Sequence, residues 1–193
     1  ALAVVAFGMV WLCLWRGRWR LLGVPVIAAG FAAGAAQRPP DALVSADARL
    51  IALRAGGEVF LQRLTGASNL TRDVWLRLYA APSAALLPKS GSAAGGAIVC
   101  DAGVCAMKPA GDGPAVMLVG AAKSTGAACA GGASLVLSSE PVRGRCAARV
   151  VDRFSVWRDG AHAVWLDRPE GPLVLSDRAA RGARLWVPPV PRP

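Results

Sequence analysis

Two stretches near the start of the 193-residue chain contain no charged side chain. They cover residues 1–14 and 21–36 and consist mostly of Ala, Val, Leu, Ile, Phe and Gly. The segment between them is basic and aromatic, and it contains Trp15, Arg16, Arg18, Trp19 and Arg20. Uninterrupted apolar runs of this kind are typical of helices that avoid water. The pattern therefore predicts two apolar helices joined by a basic bend.

The composition of the bend favours a membrane location. Arginines accumulate in short cytoplasmic loops, and Trp side chains lie at the level of the lipid headgroups. A spanning helix needs roughly 20 apolar residues, so both stretches are short, but flanking Arg and Gln side chains can reach the headgroups. We expect residues 1–37 to form two transmembrane helices around a cytoplasmic loop, with the five Trp and Arg residues as membrane-interface anchors and lipid as a partner. The alternative is a buried helical hairpin in a soluble protein.

Beyond residue 37 the pattern changes to short apolar runs separated by turn residues. The runs 49–54 and 58–63 flank Gly56 and Gly57, which predicts a β-hairpin because Gly-Gly readily adopts positive φ. The segment 71–79 places Val74, Trp75 and Leu78 on one helical face and predicts a short helix. Further strand-like runs cover residues 97–101, 104–108, 115–119, 134–138, 148–152, 163–166 and 172–176. Residues 38–193 therefore read as one β-rich α+β domain with few short helices and a proline-rich tail.

The cysteines give an independent indication of the compartment. Cys13 lies in the first apolar stretch, and four cysteines follow residue 37, which allows three disulfide pairings. We expect the bonds Cys100–Cys105 and Cys129–Cys146, in line with an oxidising, extracytoplasmic space. Free thiols or a four-thiolate zinc site are the alternatives, although zinc usually takes its cysteines in two close pairs.

The second part of the chain is basic. All 12 Asp and Glu and all but three of the 22 Lys and Arg follow residue 37. An excess of cations favours polyanions such as DNA or lipid headgroups. The densest basic stretch is 143–158, and its candidate contacts to a DNA backbone are Arg143, Arg145, Arg149, Arg153 and Arg158. The alternative is that these are ordinary solvated arginines.

Catalytic motifs are scarce in the sequence. The chain has a single histidine, His162, whereas hydrolytic metal sites usually need several imidazoles. A G-x-S-x-G elbow that would position a nucleophilic serine is absent. We therefore expect no catalytic residue, no metal and no cofactor. Asp47, Asp101 and Asp152 are carboxylates that could hold a divalent ion, but single aspartates in turns usually accept hydrogen bonds from backbone amides.

Several segments in a fixed order resemble the C-terminal part of ComEC-type competence proteins, the inner-membrane DNA-uptake channel family, in their alphaproteobacterial form. The segments are LWRGRWRLLG, PPDALVSADARLIALRAGGEV, TRDVWLR, CDAGVC and VVDRFSVWRDGAHAVWL. Because the chain starts at Ala1 without an initiator Met, we expect it to be a piece of a longer polypeptide. The resemblance implies a multi-pass protein of the bacterial inner membrane with a periplasmic C-terminal domain.

The resemblance also implies a fold class, which is a membrane helical hairpin followed by an α+β domain of degenerate metallo-β-lactamase-like type. In the family the domain opens with a D-x-G-Q-G-D strand and carries an H-x-H-x-D-H metal motif. Ser45, Ala46 and Asp47 stand where the glycines and glutamine should be, and one histidine cannot supply the metal ligands. No metal or catalytic residue is carried over.

Three functions follow as hypotheses. The first is a non-catalytic periplasmic domain of a channel that takes up single-stranded DNA, with other competence proteins as partners. The second is a metal-dependent nuclease that degrades the non-transported strand through Asp47, Asp101 and Asp152. The third is a structural membrane-anchored domain that does not bind DNA.

Overall fold

The computed structural model describes residues 1–66, 68–108, 116–120, 125–166, 168, 170–182, 184, 186 and 187. These residues belong to two compact units, Ala1–Pro39 and Pro40–Pro193. The last part of the expected proline-rich tail, residues 188–193, lies outside the described residues.

The first unit consists of two helices that pack through glycines. Helix α1 covers Leu2–Leu14 and helix α2 covers Gly23–Ala35. A Cβ atom added to Gly8 would lie 2.7 Å from Cγ1 of Ile27, and one added to Gly30 would lie 2.6 Å from Cγ2 of Val5. Both distances are shorter than van der Waals contact, so these glycines allow the helices to approach more closely than any larger residue could.

The expected transmembrane hairpin is wrong. Each helix has 13 residues, which corresponds to about 20 Å at 1.5 Å per residue, whereas the hydrocarbon core is about 30 Å thick. Nowhere in the described ranges is there a helix long and apolar enough to cross a membrane. The first helix ends because Trp15 is extended and Gly17 has a φ of 84°, and Arg18–Leu22 then form a short 3-10 turn. The multi-pass inner-membrane localisation depended on that hairpin and is corrected with it.

The bend between the helices contains the five predicted membrane-interface anchors. Their side chains are exposed, and they belong to Trp15, Arg16, Arg18, Trp19 and Arg20. The carbonyl of Trp19 accepts a hydrogen bond from Nε1 of Trp11 at 3.0 Å. An anchoring role at a membrane presupposed spanning helices, and the described helices are too short for that.

The second unit contains two mixed β-sheets of six strands each. The first sheet has the order β12-β11-β1-β2-β3-β4, and these strands are β1 (Ala42–Val44), β2 (Ile51–Ala55), β3 (Glu58–Leu61), β4 (Ala85–Leu86), β11 (His162–Trp165) and β12 (Leu173–Ser176). The second has the order β10-β9-β8-β7-β6-β5, and its strands are β5 (Gly91–Ala93), β6 (Ile98–Asp101), β7 (Val104–Met107), β8 (Val116–Val119), β9 (Leu135–Ser138) and β10 (Arg149–Val151). The pairs β3–β4, β8–β9 and β9–β10 are parallel, and the other described pairs are antiparallel.

The two sheets pack face to face around one hydrophobic core. Ile51 and Leu53 on β2 meet Leu135 and Leu137 on β9 in the same buried cluster. The alternate residues of the same strands point outward, as the two-residue period of a strand requires. On its outer side, the first sheet is covered by helix α3 (Asn69–Leu78), while helix α4 (Thr125–Ala130) covers the second. Two further short helices are α5 (Arg153–Asp159) and α6 (Asp177–Arg181). The fold is thus α+β with two mixed sheets, which replaces the expected class with its membrane hairpin.

Local predictions in this unit have mixed outcomes. The hairpin is confirmed, because β2 and β3 pair in antiparallel fashion around Gly56 and Gly57, whose φ angles are 61° and 82°.

A helix is also present near 71–79, but it begins at Asn69 and is capped by Ser68, whose Oγ accepts a hydrogen bond from the amide of Thr71. The predicted apolar face of that helix is wrong in part. Trp75 packs on the sheet, whereas Val74 and Leu78 are exposed.

Both predicted disulfide bonds are present. Cys100 and Cys105 face each other across the β6–β7 hairpin and are buried, and Cys129 of α4 is joined to Cys146 in the segment before β10. These bonds exclude the four-thiolate zinc site and leave Cys13 as the free cysteine. The second bond ties the basic segment around Arg143 and Arg145 to helix α4, which packs on the second sheet.

Candidate nucleic-acid interface

Helix α5 is positioned by one buried carboxylate. Asp152 is only 6% exposed, and its Oδ1 accepts hydrogen bonds from the amides of Phe154 at 3.1 Å and Ser155 at 2.9 Å. Oδ2 accepts a third backbone amide at 3.0 Å. Asp152 is therefore the N-cap of α5. Since both of its oxygens are occupied by backbone donors, it is a poor ligand for the divalent ion of the nuclease hypothesis.

Two aromatic rings lie exposed on α5. Phe154 is 62% exposed and Trp157 is 60% exposed, and the spacing of three residues places them on the same side of the helix. Val156 is buried and anchors the opposite side of the helix in the core. Burying a large aromatic side chain stabilises a fold, so neighbouring aromatic rings that stay exposed are typical of surfaces that bind a partner.

All five predicted DNA-contact arginines are exposed. Arg153 and Arg158 belong to α5 and flank the two rings, Arg149 lies on the edge strand β10, and Arg143 and Arg145 precede that strand. Arg158 forms an ion pair with Asp159 at 3.1 Å. That pair is largely solvated, so it contributes little to stability and leaves the arginine able to exchange partners.

Two of these arginines influence the imidazole of His162. Burial lowers the pKa of its imidazole, the positive charges of Arg149 and Arg158 lower it further, and the Gly160 carbonyl and Asp159 oppose the shift. Arg149 and Arg158 therefore both lie within electrostatic reach of the same ring. His162 itself is 6% exposed, and its buried Nδ1 has no hydrogen-bond partner in the described part of the chain.

Beside α5 lies a polar cleft of about 110 Å³, called here the arginine cleft. Its walls are formed by Asp47, Ala48, Arg49, Arg63, Ser139, Glu140 and Arg153. These residues follow directly or closely after the ends of β1, β3, β9 and β10. Of the predicted DNA contacts only Arg153 belongs to the cleft. The sequence pattern did not single out Arg49, Arg63, Ser139 and Glu140, although their shared position after strand ends was a usable signal.

Asp47 shapes the turn at one side of the cleft. Its Oδ1 accepts hydrogen bonds from the hydroxyl of Ser45 and from the amide of Arg49. Partial burial alone would raise the pKa of Asp47, but these hydrogen bonds and the nearby Arg49 charge outweigh burial, so the pKa is lowered. Asp47 is thus ionised at neutral pH and serves the turn.

The three aspartates of the nuclease hypothesis have separate positions. Asp47 is at the cleft, Asp101 is exposed where β6 turns into β7, and Asp152 caps α5. Within the described ranges, no three His, Cys, Asp or Glu side chains are grouped so that they could hold a metal ion. No observation on these residues favours metal-dependent cleavage.

Comparison with known proteins does not extend this picture. No protein-family model matches the chain, and no curated protein or solved structure is significantly similar to it. The resemblance to ComEC-type proteins therefore stays a prediction.

Proposed function

We propose that this chain contains a non-catalytic domain that binds single-stranded DNA without reading its sequence. The observation that carries the proposal is the pair of exposed rings, Phe154 and Trp157, one turn apart on α5 between Arg153 and Arg158. Aromatic platforms combined with cations are the usual means by which proteins hold single strands.

The rings would supply the affinity for unpaired bases. Every base has a π-face, so stacking on Phe154 and Trp157 is tolerant of sequence. Bases in a duplex are already stacked on their neighbours and are not available to the rings. The proposed surface therefore favours single strands over duplexes of the same length.

The arginines would supply the affinity for the phosphate backbone. Arg149 on the edge strand and Arg143 and Arg145 before it are exposed and fixed to the same domain as α5. Each phosphate that is neutralised releases a counterion, so binding weakens as salt rises. In the setting implied by the resemblance, the ligand is DNA taken up during transformation, with other competence proteins as partners. The proposal does not include a membrane channel, because the described helices are too short to span a bilayer.

The rings can be tested with an oligothymidine and fluorescence anisotropy. The double variant Phe154→Ala, Trp157→Ala is expected to bind about tenfold or more weakly, because loss of one stacked base costs about 1–3 kcal/mol. Val74→Ala, Leu78→Ala removes a comparable pair of exposed apolar side chains from α3 and is expected to leave the affinity unchanged. Equal affinities of the ring variant and the unchanged chain would refute the stacking role. Absence of any salt-dependent binding would favour a purely structural domain.

A further inference from the structure

Three arginines and two carboxylates line the arginine cleft, so the cleft keeps an excess of positive charge. In the described part of the chain, none of Arg49, Arg63 and Arg153 has a carboxylate oxygen within 4.0 Å of its guanidinium. Arg63 and the cleft residue Ser139 come from different sheets, so the cleft is built by the tertiary fold and not by one local segment. Arginines that line one cleft repel each other, and such an arrangement is favourable when an anion lies between them.

The cleft also offers a neutral donor. Ser139 is buried, and its Oγ accepts a hydrogen bond from Nε2 of Gln62 at 3.1 Å. A hydroxyl that accepts one bond retains its own proton for donation. Since Gln62 follows β3 and Ser139 follows β9, this bond also fixes the hydroxyl relative to both sheets.

The size and charge of the cleft select the ligand class. A cavity of about 150 Å³ holds a benzene molecule of six heavy atoms, so a cleft of about 110 Å³ accommodates a group of four or five heavy atoms, such as phosphate. Guanidinium groups pair with phosphate oxygens through two parallel hydrogen bonds. Asp47 and Glu140 also line the cleft, so its three arginines exceed its two carboxylates by one charge, which favours one phosphate group over two.

We propose that the arginine cleft is a binding site for a single phosphate monoester group, held by Arg49, Arg63 and Arg153 with the hydroxyl of Ser139. The same group occurs at the end of a DNA strand and in a free nucleotide or inorganic phosphate. The site goes beyond the proposed function, since a free monoester would occupy it whether or not α5 binds single strands. Where a strand end is the source, Arg153 connects the cleft to α5 and the strand would terminate there.

The site is tested on the full chain by isothermal titration calorimetry with inorganic phosphate, thymidine 5′-monophosphate and thymidine. The monophosphate is expected to bind and thymidine is not, because only the former carries the oxyanion. Arg49→Gln and Arg63→Gln are each expected to weaken binding about tenfold, the effect of losing a charge-assisted hydrogen bond. Arg77→Gln on α3 removes an exposed arginine outside the cleft and is the matched control. Arg63→Lys keeps the positive charge but loses the planar guanidinium that pairs with two phosphate oxygens. Its affinity for the monophosphate tests the site if a glutamine variant fails to fold.

The sources are separated with oligothymidine carrying or lacking a 5′-phosphate. If the strand end occupies the cleft, the 5′-phosphate strengthens binding to the unchanged chain and no longer does so in Arg49→Gln. If free phosphate or the monophosphate binds but the 5′-phosphate has no effect, the site serves a small ligand. Absence of binding by phosphate and monophosphate, or equal binding by the cleft variants, overturns the inference. That result leaves the proposed function standing as long as unphosphorylated oligothymidine binds, whereas loss of oligothymidine binding alone refutes only the proposed function.

Discussion

The carboxylate of Asp152 accepts a hydrogen bond from the backbone amide of Val142, ten residues earlier in the chain, at 3.0 Å. The same carboxylate caps α5 through the amides of Phe154 and Ser155. One buried side chain thus fixes both the basic segment around Arg143 and the helix that carries the two exposed rings. The geometry of the proposed interface therefore depends on this acceptor as well as on the Cys129–Cys146 bond.

Replacing Asp152 by Ala is expected to lower the free energy of unfolding by about 2 kcal/mol or more, because an N-cap is lost and three partly buried amides lose their acceptor. Asp152→Asn keeps one oxygen acceptor and should cost less. Urea denaturation followed by circular dichroism measures both. Asp101→Ala removes an exposed turn carboxylate and should have little effect. A loss of the same size in Asp101→Ala and Asp152→Ala would contradict the capping role.

The basic segment should make the affinity for DNA depend on salt concentration. If Arg143, Arg145 and Arg149 bind phosphates, their replacement by Ala should reduce the slope of log affinity against log salt by about 2 for a single strand, at about 0.7 per phosphate contact. Anisotropy titrations of oligothymidine between low and moderate salt measure this slope. The variant Arg72→Ala, Arg77→Ala on α3 serves as the control. An unchanged slope would remove the three arginines from the interface.

Because His162 is buried, the folded chain is expected to lose stability in acid. Its pKa in the folded chain is lowered below the ordinary value of 6.5, chiefly by burial. Between the two pKa values the unfolded chain binds more protons than the folded chain, so the stability that is fully present above about pH 6.5 is lost as the pH falls through the folded pKa. Urea denaturation at pH 7.5 and pH 5 should show a larger loss for the unchanged chain than for His162→Gln. Parallel losses in the two proteins would show that His162 does not contribute.

Local chemistry explains what the sequence could predict. The Gly56-Gly57 turn and the Cys100–Cys105 bond join residues that are close along the chain, and the structure confirms both. The lengths of the two helices in the first unit were overestimated, because hydropathy does not register a break in the backbone. Gly17 has a positive φ and prevents the chain from continuing as a helix.

The arginine cleft shows why other features could not be predicted. Arg49 and Arg63 follow strands of the first sheet, whereas Ser139 follows a strand of the second. Only the packing of the two sheets brings Ser139 to the two arginines. The role of Asp152 was likewise open, since an aspartate before a helix could serve a cap or a metal. The burial of its side chain and the three amide donors decide between them.

The bond between Cys129 and Cys146 encloses β9 and ends three residues before β10, the parallel neighbour of β9. Parallel strands cannot pair until the connection between them has closed, and that closure costs entropy before any contact compensates for it. In the oxidised chain Cys146, three residues before β10, stays bonded to Cys129, six residues before β9, even in denaturant. The oxidised protein therefore begins to refold with part of the β9–β10 crossover already closed, whereas the reduced protein has to close it by diffusion.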